Sequence, residues 1–322
     1  MQRDSEAWGH FAYSFQRIAE NVNEVLQGKS REVRLALVCL IAEGHLLIED
    51  VPGVGKTMLA KSIARSIDSS FRRIQFTPDL LPTDVTGVNV FNQERGDFEF
   101  KPGAIFANIV LADEINRASP KTQSALLESM EERQVTMDGV TYHLGMPFMV
   151  IATQNPIEHE GTYPLPEAQL DRFMMRLSIG YPSVEAEQAI LNTHGVASTL
   201  EDIRSVSDAQ AVSSMTLMAR EVYVAPALRR YIVTLAEKTR NHPDVYLGAS
   251  PRASIMLLRA ARAFAASEGR DYVIPDDVKA LVIPVMAHRL LLSPEALMTG
   301  RSSTTVLAEL VQQVPVPLRD RA

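Results

Sequence analysis

A run of eight residues near the start of the chain combines glycines, a lysine and a threonine at a spacing suited to phosphate chemistry. The run is Asp50-Val51-Pro52-Gly53-Val54-Gly55-Lys56-Thr57. Gly53 and Gly55 lack the Cβ that would obstruct the approach of backbone N–H groups to phosphate oxygens. Lys56 can place a cation on the β- and γ-phosphates of a nucleotide, and Thr57 offers a hydroxyl to Mg²⁺. The remaining predicted nucleotide contacts are Pro52, Val54 and Met58.

The run departs at its first position from the general pattern G-x-x-x-x-G-K-[ST], because Asp50 stands where that pattern has glycine. Taken alone, the run could also be a turn with a coincidental Gly-Lys-Thr. A predicted strand, His45–Glu49, precedes it, and a predicted helix, Thr57–Ile67, begins at its end. Strand, loop and helix in that order are the context that a phosphate-binding loop requires, so the context favours this interpretation.

Two adjacent carboxylates, Asp113 and Glu114, follow the apolar run that begins at Asn108. The carboxyl end of such a strand lies beside the phosphate-binding loop in a parallel sheet. Asp113 would then hold Mg²⁺ together with Thr57, and Glu114 would orient and polarise the attacking water. A surface or capping pair is the alternative when this pattern occurs alone. Together with the loop, it predicts an enzyme that hydrolyses a nucleoside triphosphate.

Short apolar runs alternate with helix-period segments in the first half of the chain, which is typical of βαβ units around a parallel sheet. The predicted strands alternate poorly between apolar and polar residues, as expected for strands buried on both faces. They are His45–Glu49, Phe71–Phe76, Asn108–Asp113, Phe148–Thr153 and Met174–Ile179. The predicted helices are Phe11–Leu26, Arg31–Glu43, Thr57–Ile67 and Pro120–Glu132. The sequence therefore predicts an αβα sandwich of the P-loop NTPase type.

The pattern changes after Tyr181, where strand-like runs stop and helical periods rich in Ala, Leu and Arg take over. The predicted helices here are Val184–His194, Asp208–Arg220, Pro226–Asn241, Pro251–Ser267 and Pro275–Leu292. We therefore predict an α/β core domain over residues 1–181 and an all-α lid domain over residues 182–322.

Charge and hydropathy exclude several classes of protein. The net charge is −7, and residues 1–180 hold 17 basic and 24 acidic side chains, which accounts for the whole excess. A protein that tracks a nucleic-acid backbone usually has a basic surplus, so the balance argues against that role. No apolar stretch approaches the about 18 residues of a membrane span. The first residues lack the basic and apolar regions of a signal peptide, which predicts a cytoplasmic protein.

The order of these motifs resembles that of AAA+ ATPases. Within that class, the chain is closely similar in sequence motifs to the MoxR family, which belongs to the helix 2 insert clade. The segments that carry this similarity are Glu49–Thr57, Asp113–Ala118, Ala152–Pro156 and Pro166–Phe173. The resemblance extends from about Val25 to Leu292, and Asp50 is usual in MoxR-type loops. It implies binding and hydrolysis of ATP with Mg²⁺.

The resemblance also implies roles for residues outside the two nucleotide motifs. Asn155 matches sensor 1, Arg172 matches the arginine finger that acts on the nucleotide of the adjacent subunit, and Arg252 matches sensor 2, which reaches from the lid to the γ-phosphate. Gly28 belongs to a turn that resembles the one packed on adenine. The alternatives are a capping Asn155, a salt bridge of Arg172 with Asp171 or Glu167, a surface charge at Arg252 and a plain turn at Gly28.

Two further positions match weaker features of the family. Gln75 matches a switch residue that can restrain Glu114, and Arg117 could contact a neighbouring subunit. Two predicted hairpins, at 88–100 and 134–144, fall where the family has its helix 2 insert and its pre-sensor 1 hairpin. Phe91, Phe98 and Phe100 could grip a client there, or could pack against the body of the protein.

The expected partners follow from the resemblance alone. They are a homo-oligomeric ring, commonly a hexamer, a von Willebrand factor A domain protein, and a client protein complex, often a metalloenzyme, that is remodelled or matured. Two alternative functions are a nucleic-acid-stimulated motor and a magnesium chelatase-like motor subunit, and a third is a nucleotide-gated scaffold with negligible turnover.

Overall fold

The computed structural model describes residues 2–156, 161–194 and 199–316. The elements of the first half are α1 (Gln2–Asn23), α2 (Ser30–Ile41), β1 (Leu46–Glu49), α3 (Lys56–Ser66), β2 (Phe71–Gln75), α4 (Pro82–Thr86), β3 (Gly87–Asn92), β4 (Asp97–Pro102), β5 (Ile109–Asp113), α5 (Pro120–Glu132), β6 (Gln134–Met137), β7 (Val140–His143), β8 (Met149–Gln154), α6 (Glu167–Leu170) and β9 (Met175–Leu177). The elements that follow are α7 (Val184–His194), α8 (Thr199–Asp202), α9 (Ala209–Arg220), α10 (Pro226–Arg240), β10 (Val245–Leu247), α11 (Pro251–Ser267), α12 (Pro275–Met286), β11 (Leu291–Leu292), α13 (Pro294–Met298) and α14 (Ser303–Gln313).

A parallel sheet with strand order β2-β5-β8-β1-β9 is the centre of the first half. Its interior strands are buried on both faces, which explains their continuous runs of Val, Ile and Leu. The register pairs Gln75 with Asp113 and Glu49 with Gln154. The carboxyl ends of four strands therefore meet at one edge, and the predicted α/β fold with a parallel sheet is confirmed.

Local signals set the starts of the helices that position the site. Gly55, in the left-handed region, directly precedes α3. Ser119 caps α5 by accepting a hydrogen bond from the Thr122 N–H, and Ser250 caps α11 in the same way through the Ala253 N–H. A proline occupies the first position of both helices, where no intrahelical donor is needed.

The second half departs most clearly from its predicted elements near its last predicted helix. The predicted helix Pro275–Leu292 ends instead at Met286, just after Pro284, and a 3₁₀ turn over Ala287–Arg289 follows. Leu291 and Leu292 then pair with β10 as a short antiparallel strand, so the expectation that strands stop after Tyr181 is wrong. A proline removes one backbone donor, which weakens the last turn of α12 and favours this early end. The helices α13 and α14 were not predicted.

A hydrophobic cluster packs the two N-terminal helices, α1 and α2, against helices of the C-terminal half. Phe15 of α1, Val38 of α2 and Leu257 of α11 all belong to this cluster. A second cluster covers the other face of the sheet and includes Phe76 and Leu127. The division into domains at residue 181 stays a prediction. No helix within the described ranges is long and apolar enough to cross a membrane.

Candidate active site

The loop between β1 and α3 forms an open cradle of backbone. Gly53 has φ +85° and Gly55 has φ +96°, values that residues with a Cβ rarely adopt. A Cβ built at either position meets no atom within 4 Å, so it would point into the open space of the cradle. Because α3 begins at Lys56, its N-terminal end adjoins the cradle, and the N-terminus of a helix attracts phosphate oxygens.

Lys56 and Asp50 hold the two ends of this loop together. The Lys56 Nζ donates a hydrogen bond to the backbone carbonyl of Asp50 at 2.7 Å. The Asp50 carboxylate accepts hydrogen bonds from the Gly180 N–H at 2.6 Å, the Ser178 hydroxyl at 3.0 Å and the Val51 N–H at 2.9 Å. Asp50 therefore ties the loop to the segment after β9, a contact that glycine at this position could not make.

The hydrogen bonds to Asp50 outweigh the effect of its burial on its acidity. Burial alone would raise the pKa of the carboxyl, but hydrogen bonds from the Gly180 N–H, the Ser178 hydroxyl and the Val51 N–H hold the pKa below its usual 3.8. A carboxylate with a depressed folded-state pKa stabilises the protein above its unfolded-state pKa. That contribution is lost as the pH falls through the folded-state value.

Asp50→Asn is expected to lower the free energy of unfolding by about 1–3 kcal/mol at pH 7, because an amide nitrogen cannot accept the hydrogen bonds that the carboxylate accepts. Urea unfolding at several pH values measures the difference from the wild type. The difference should shrink as the pH falls below the usual Asp pKa of 3.8, because the unfolded chain takes up the proton first and the folded carboxylate follows at a lower pH. Equal stability at pH 7, or a difference that does not change with acidification, would contradict the role assigned to this carboxylate.

The two carboxylates after β5 are held by the neighbouring strands. The fully buried Thr153 hydroxyl donates to Asp113 Oδ1 at 2.6 Å and accepts from the Glu114 N–H at 2.8 Å. Glu114 itself has φ 56°, the left-handed region that non-glycine residues seldom occupy. Its carboxylate accepts a hydrogen bond from Gln75 Nε2 at 2.7 Å. Gln75 was expected to match a switch residue that restrains Glu114, and that role stays a prediction.

Two arginines that face these carboxylates complete the network. Arg73 of β2 donates to Asp113 Oδ2 through Nη2 at 2.6 Å and Nε at 3.1 Å, and its Nη2 also donates to Gln75 at 2.7 Å. Arg117 lies 3.1 Å from Glu114 Oε2. Arg73 was not among the predicted site residues, because only the order of strands in the sheet places β2 beside β5. The edge thus carries two carboxylates, each paired with a cation.

One pocket brings together most of the predicted site residues. It is lined by Pro52, Gly53, Gly55, Lys56, Thr57, Met58, Arg73, Asp113, Glu114 and Asn155. The hydroxyl of Thr57 and the carboxylate of Asp113 are the oxygen ligands that Mg²⁺ prefers. Asp113 already attracts a cationic group, the Arg73 guanidinium, so the side chains present suit a divalent cation beside a phosphate.

Gly28, Arg172 and Arg252 lie outside this pocket. Gly28, with φ +74°, is in the turn between α1 and α2, where an added Cβ would lie 3.0 Å from the Cβ of Ala186. Both arginines form ion pairs with the carboxylate of Glu131, near the end of α5. Arg172 Nε lies 3.1 Å from Glu131 Oε2, and Arg252 Nη2 lies 2.9 Å from Glu131 Oε1. The alternative partners considered for Arg172, Asp171 and Glu167, were wrong.

The hairpins divide the three phenylalanines into two groups. Phe91 and Phe98 form an edge-to-face pair on β3 and β4, and 52% and 70% of their surfaces are exposed. Phe100 instead stacks on Tyr142 of β7, with ring centroids 4.0 Å apart. One aromatic pair therefore faces solvent, while Phe100 joins the first hairpin to the second.

Comparison with protein families identifies the class. The model of the ATPase family associated with various cellular activities (AAA) matches residues 45–175, which include the whole pocket, and the model of the AAA lid domain matches residues 237–310. The parallel sheet, the glycine-rich cradle and the two carboxylates occur in that order within the first match. Fold and site define an AAA-type ATPase, an enzyme that binds and hydrolyses ATP.

Similarity to individual proteins identifies the family within this class. The chain is 42% identical over 314 residues to Chaperone MoxR1 of Mycobacterium tuberculosis, which covers 95% of this chain and 83% of the relative. It is 49% identical over 306 residues to the uncharacterized protein YeaC of Bacillus subtilis, at 95% and 96% coverage. The crystal structure of a candidate ATPase from Cytophaga hutchinsonii superposes with a TM-score of 0.91 at 37% identity, over 98% of both chains. The chain belongs to the MoxR family of AAA+ ATPases, as its motifs predicted.

Proposed function

We propose that this ATPase works as a homo-oligomeric ring, commonly a hexamer in the family, and uses the hydrolysis of Mg-ATP to remodel a client protein complex. The proposal rests on the distance between two groups of site residues. The groups that can bind and attack the triphosphate line one pocket, whereas Arg172 and Arg252 lie together on Glu131, outside that pocket. A second subunit can supply the missing positive charge.

Binding of the nucleotide is assigned to the loop and the start of α3. The backbone N–H groups around Gly53 and Gly55 would hold phosphate oxygens, and Lys56 would exchange its hydrogen bond to the Asp50 carbonyl for one to a phosphate. Thr57 and Asp113 would hold Mg²⁺, and Asp113 would part from Arg73 to do so. When bound, Mg²⁺ neutralises charge on the phosphates.

Hydrolysis is assigned to Glu114 and Asn155. Glu114 would orient the attacking water and accept its proton, and the Asn155 amide would help to fix the water or the γ-phosphate. In this structure the Glu114 carboxylate is held by Gln75 and Arg117. Release of these two contacts would be needed before Glu114 can act, which makes them a restraint on premature hydrolysis.

Completion of the site is assigned to the adjacent subunit. Its Arg172 would stabilise the charge that develops on the γ-phosphoryl group, and Arg252 would link the same phosphate to the lid. Since Arg252 lies in the first turn of the long helix α11, a change in its contact would be transmitted to the lid.

Several observations support a protein as the client. The relative in Mycobacterium tuberculosis is named a chaperone. Phe91 and Phe98 present an exposed aromatic pair, and such pairs are suited to binding an apolar segment. The family resemblance adds a von Willebrand factor A domain protein as a partner and a metalloenzyme as the client that is matured.

Glu114→Gln tests this proposal by holding the protein in its ATP-bound state. The amide keeps the shape of the side chain but cannot accept the proton of water, so we expect ATP binding to persist while turnover falls by about 10²-fold or more. Affinity purification from the native host in Mg-ATP should then enrich a protein complex that mass spectrometry can identify.

The control for this experiment is the double variant Glu114→Gln with Phe98→Ser, which removes one ring of the exposed aromatic pair. It should bind ATP as tightly and recover less of the client. Enrichment of nucleic acid in place of a protein complex would contradict the proposed client class. Unchanged turnover in the single variant would contradict the role of Glu114.

A further inference from the structure

One carboxylate, that of Glu131, lies between the two arginines outside the pocket. Its Oε2 is 3.1 Å from Arg172 Nε, and its Oε1 is 2.9 Å from Arg252 Nη2. The exposed fractions of the three side chains lie between 29% and 35%, so the cluster is open to solvent. A single negative charge thus faces two positive charges, and the cluster keeps a net positive charge.

The backbones that carry the two arginines are joined without Glu131. The carboxylate of Asp171, which precedes Arg172, accepts a hydrogen bond from the Ser250 hydroxyl at 3.2 Å. It also accepts one from Arg289 Nε at 2.6 Å, and the Arg289 side chain is only 2% exposed. Because Ser250 is also the cap of α11, these partly buried hydrogen bonds fix the start of the helix that carries Arg252.

The contacts of Glu131 are therefore not needed to bring the arginines together, and they are easily exchanged. Both are within ion-pair distance, but within the described ranges neither is an aligned hydrogen bond. Partly exposed ion pairs contribute only about 0–1 kcal/mol. A guanidinium has five N–H donors and binds phosphate in a forked geometry, so a phosphate can replace the carboxylate.

We propose that Glu131 is a positioning residue that stands in for a phosphate. In the unassembled subunit it occupies N–H donors of Arg172 and Arg252, and in the ring it gives them up to the triphosphate bound by the neighbouring subunit. The inference rests on the proposed function, because the exchange requires a nucleotide at the subunit interface. Glu131 then acts through the two arginines and opposes assembly until the adjacent subunit has bound ATP.

The direction of the effect follows from charge. As the γ-phosphate of the neighbour approaches the arginines, the Glu131 carboxylate competes for the same donors and repels the phosphate. Glu131→Gln removes the charge and keeps the shape. Assembly in ATP should therefore become easier, whereas assembly in ADP, which has no γ-phosphate, should not change.

The test measures assembly in the Glu114→Gln background, where ATP is not consumed. Sedimentation velocity in Mg-ATP over a range of protein concentrations gives the concentration of half-assembly. We expect Glu131→Gln to lower this concentration by about 3- to 10-fold in ATP and to leave the value in ADP unchanged. The matched control is Glu132→Gln, because Glu132 is the next residue of α5, is exposed and makes no ion pair in the described part of the chain.

The following outcomes would contradict the proposal. An unchanged half-assembly concentration in Glu131→Gln, or an equal decrease in Glu132→Gln, would overturn the proposal and leave the composite site intact. A higher concentration would mean that Glu131 stays in place and aligns the arginines in the ring, which also contradicts the exchange. If the Glu114→Gln parent does not assemble in ATP at all, the composite site itself fails, and the role of Glu131 fails with it.

Discussion

Lys56→Ala is expected to weaken the binding of ATP by about 100-fold or more, because it removes a charge-assisted hydrogen bond to phosphate worth about 3 kcal/mol. Lys56 lines the pocket at the first position of α3, and its Nζ lies 2.7 Å from the Asp50 carbonyl. In the protein without nucleotide, loss of the hydrogen bond to the Asp50 carbonyl should change stability little. Isothermal titration calorimetry in the Glu114→Gln background, where ATP is not hydrolysed, measures this change in affinity.

Lys61→Ala provides the matched control for this prediction. Lys61 lies on the same helix, α3, but does not line the pocket, and its removal changes the net charge by the same amount. We expect its affinity for ATP to stay within about 2-fold of the parent, because distant charges are screened at physiological salt. Equal losses in the two variants, or an unaltered affinity in Lys56→Ala, would contradict the assignment of the phosphate-binding loop.

Arg172→Ala is expected to reduce kcat by about 10³-fold or more, the usual cost of losing an arginine finger, while the affinity of one subunit for ATP is nearly unchanged. The physical reason is that Arg172 lies outside the pocket of its own chain and would act on charge that develops only in the transition state. Steady-state hydrolysis and direct binding, measured on the same preparation, separate the two effects.

Arg259→Ala is the control for that loss, since Arg259 is an exposed arginine of the lid helix α11. Its removal subtracts the same charge and should leave kcat within about 2-fold of the wild type, as is usual for surface positions. A loss of ATP affinity in Arg172→Ala as large as the loss of kcat would contradict the assignment, because it would place Arg172 in its own subunit's binding site.

The parts of the site that depend on local pattern could be predicted from the sequence. The loop is recognisable because backbone geometry requires Gly53 and Gly55 next to Lys56, all within a few residues. The helix Pro120–Glu132 was predicted with the bounds that the structure has, since Ser119 and Pro120 mark its start. The strands were identified by their apolar runs, because strands buried on both faces need no alternation.

The parts that depend on strand order could not be predicted. Arg73 meets Asp113 only because β2 lies next to β5 in the sheet, and a residue on a strand placed elsewhere would not reach it. Thr153 reaches both Asp113 and Glu114 for the same reason, from β8 on the other side of β5. Contacts of this kind join residues about 40 positions apart, beyond the reach of any local pattern.

The surroundings of the two arginines show the same limit. Arg172 and Arg252 carried a family signal, but the side chain between them, Glu131, looks in the sequence like any charged residue near the end of a helix. The buried pair of Asp171 with Arg289 was hidden as well, because Arg289 falls in a region predicted to be plain helix and lies instead in a 3₁₀ turn. A nearly buried arginine needs its partner, and only the fold reveals that partner.

If the catalytic site is shared between two subunits, mixing two variants that each fail alone should restore hydrolysis. Arg172→Ala subunits keep Glu114, and Glu114→Gln subunits keep Arg172, so each variant alone should be nearly inactive. In an equal mixture about a quarter of the interfaces combine both intact groups, if subunits mix at random in a head-to-tail ring. We predict that hydrolysis in the mixture rises to about that fraction of the wild-type rate. Mixtures that assemble but remain as inactive as their parents at every ratio would contradict the shared site.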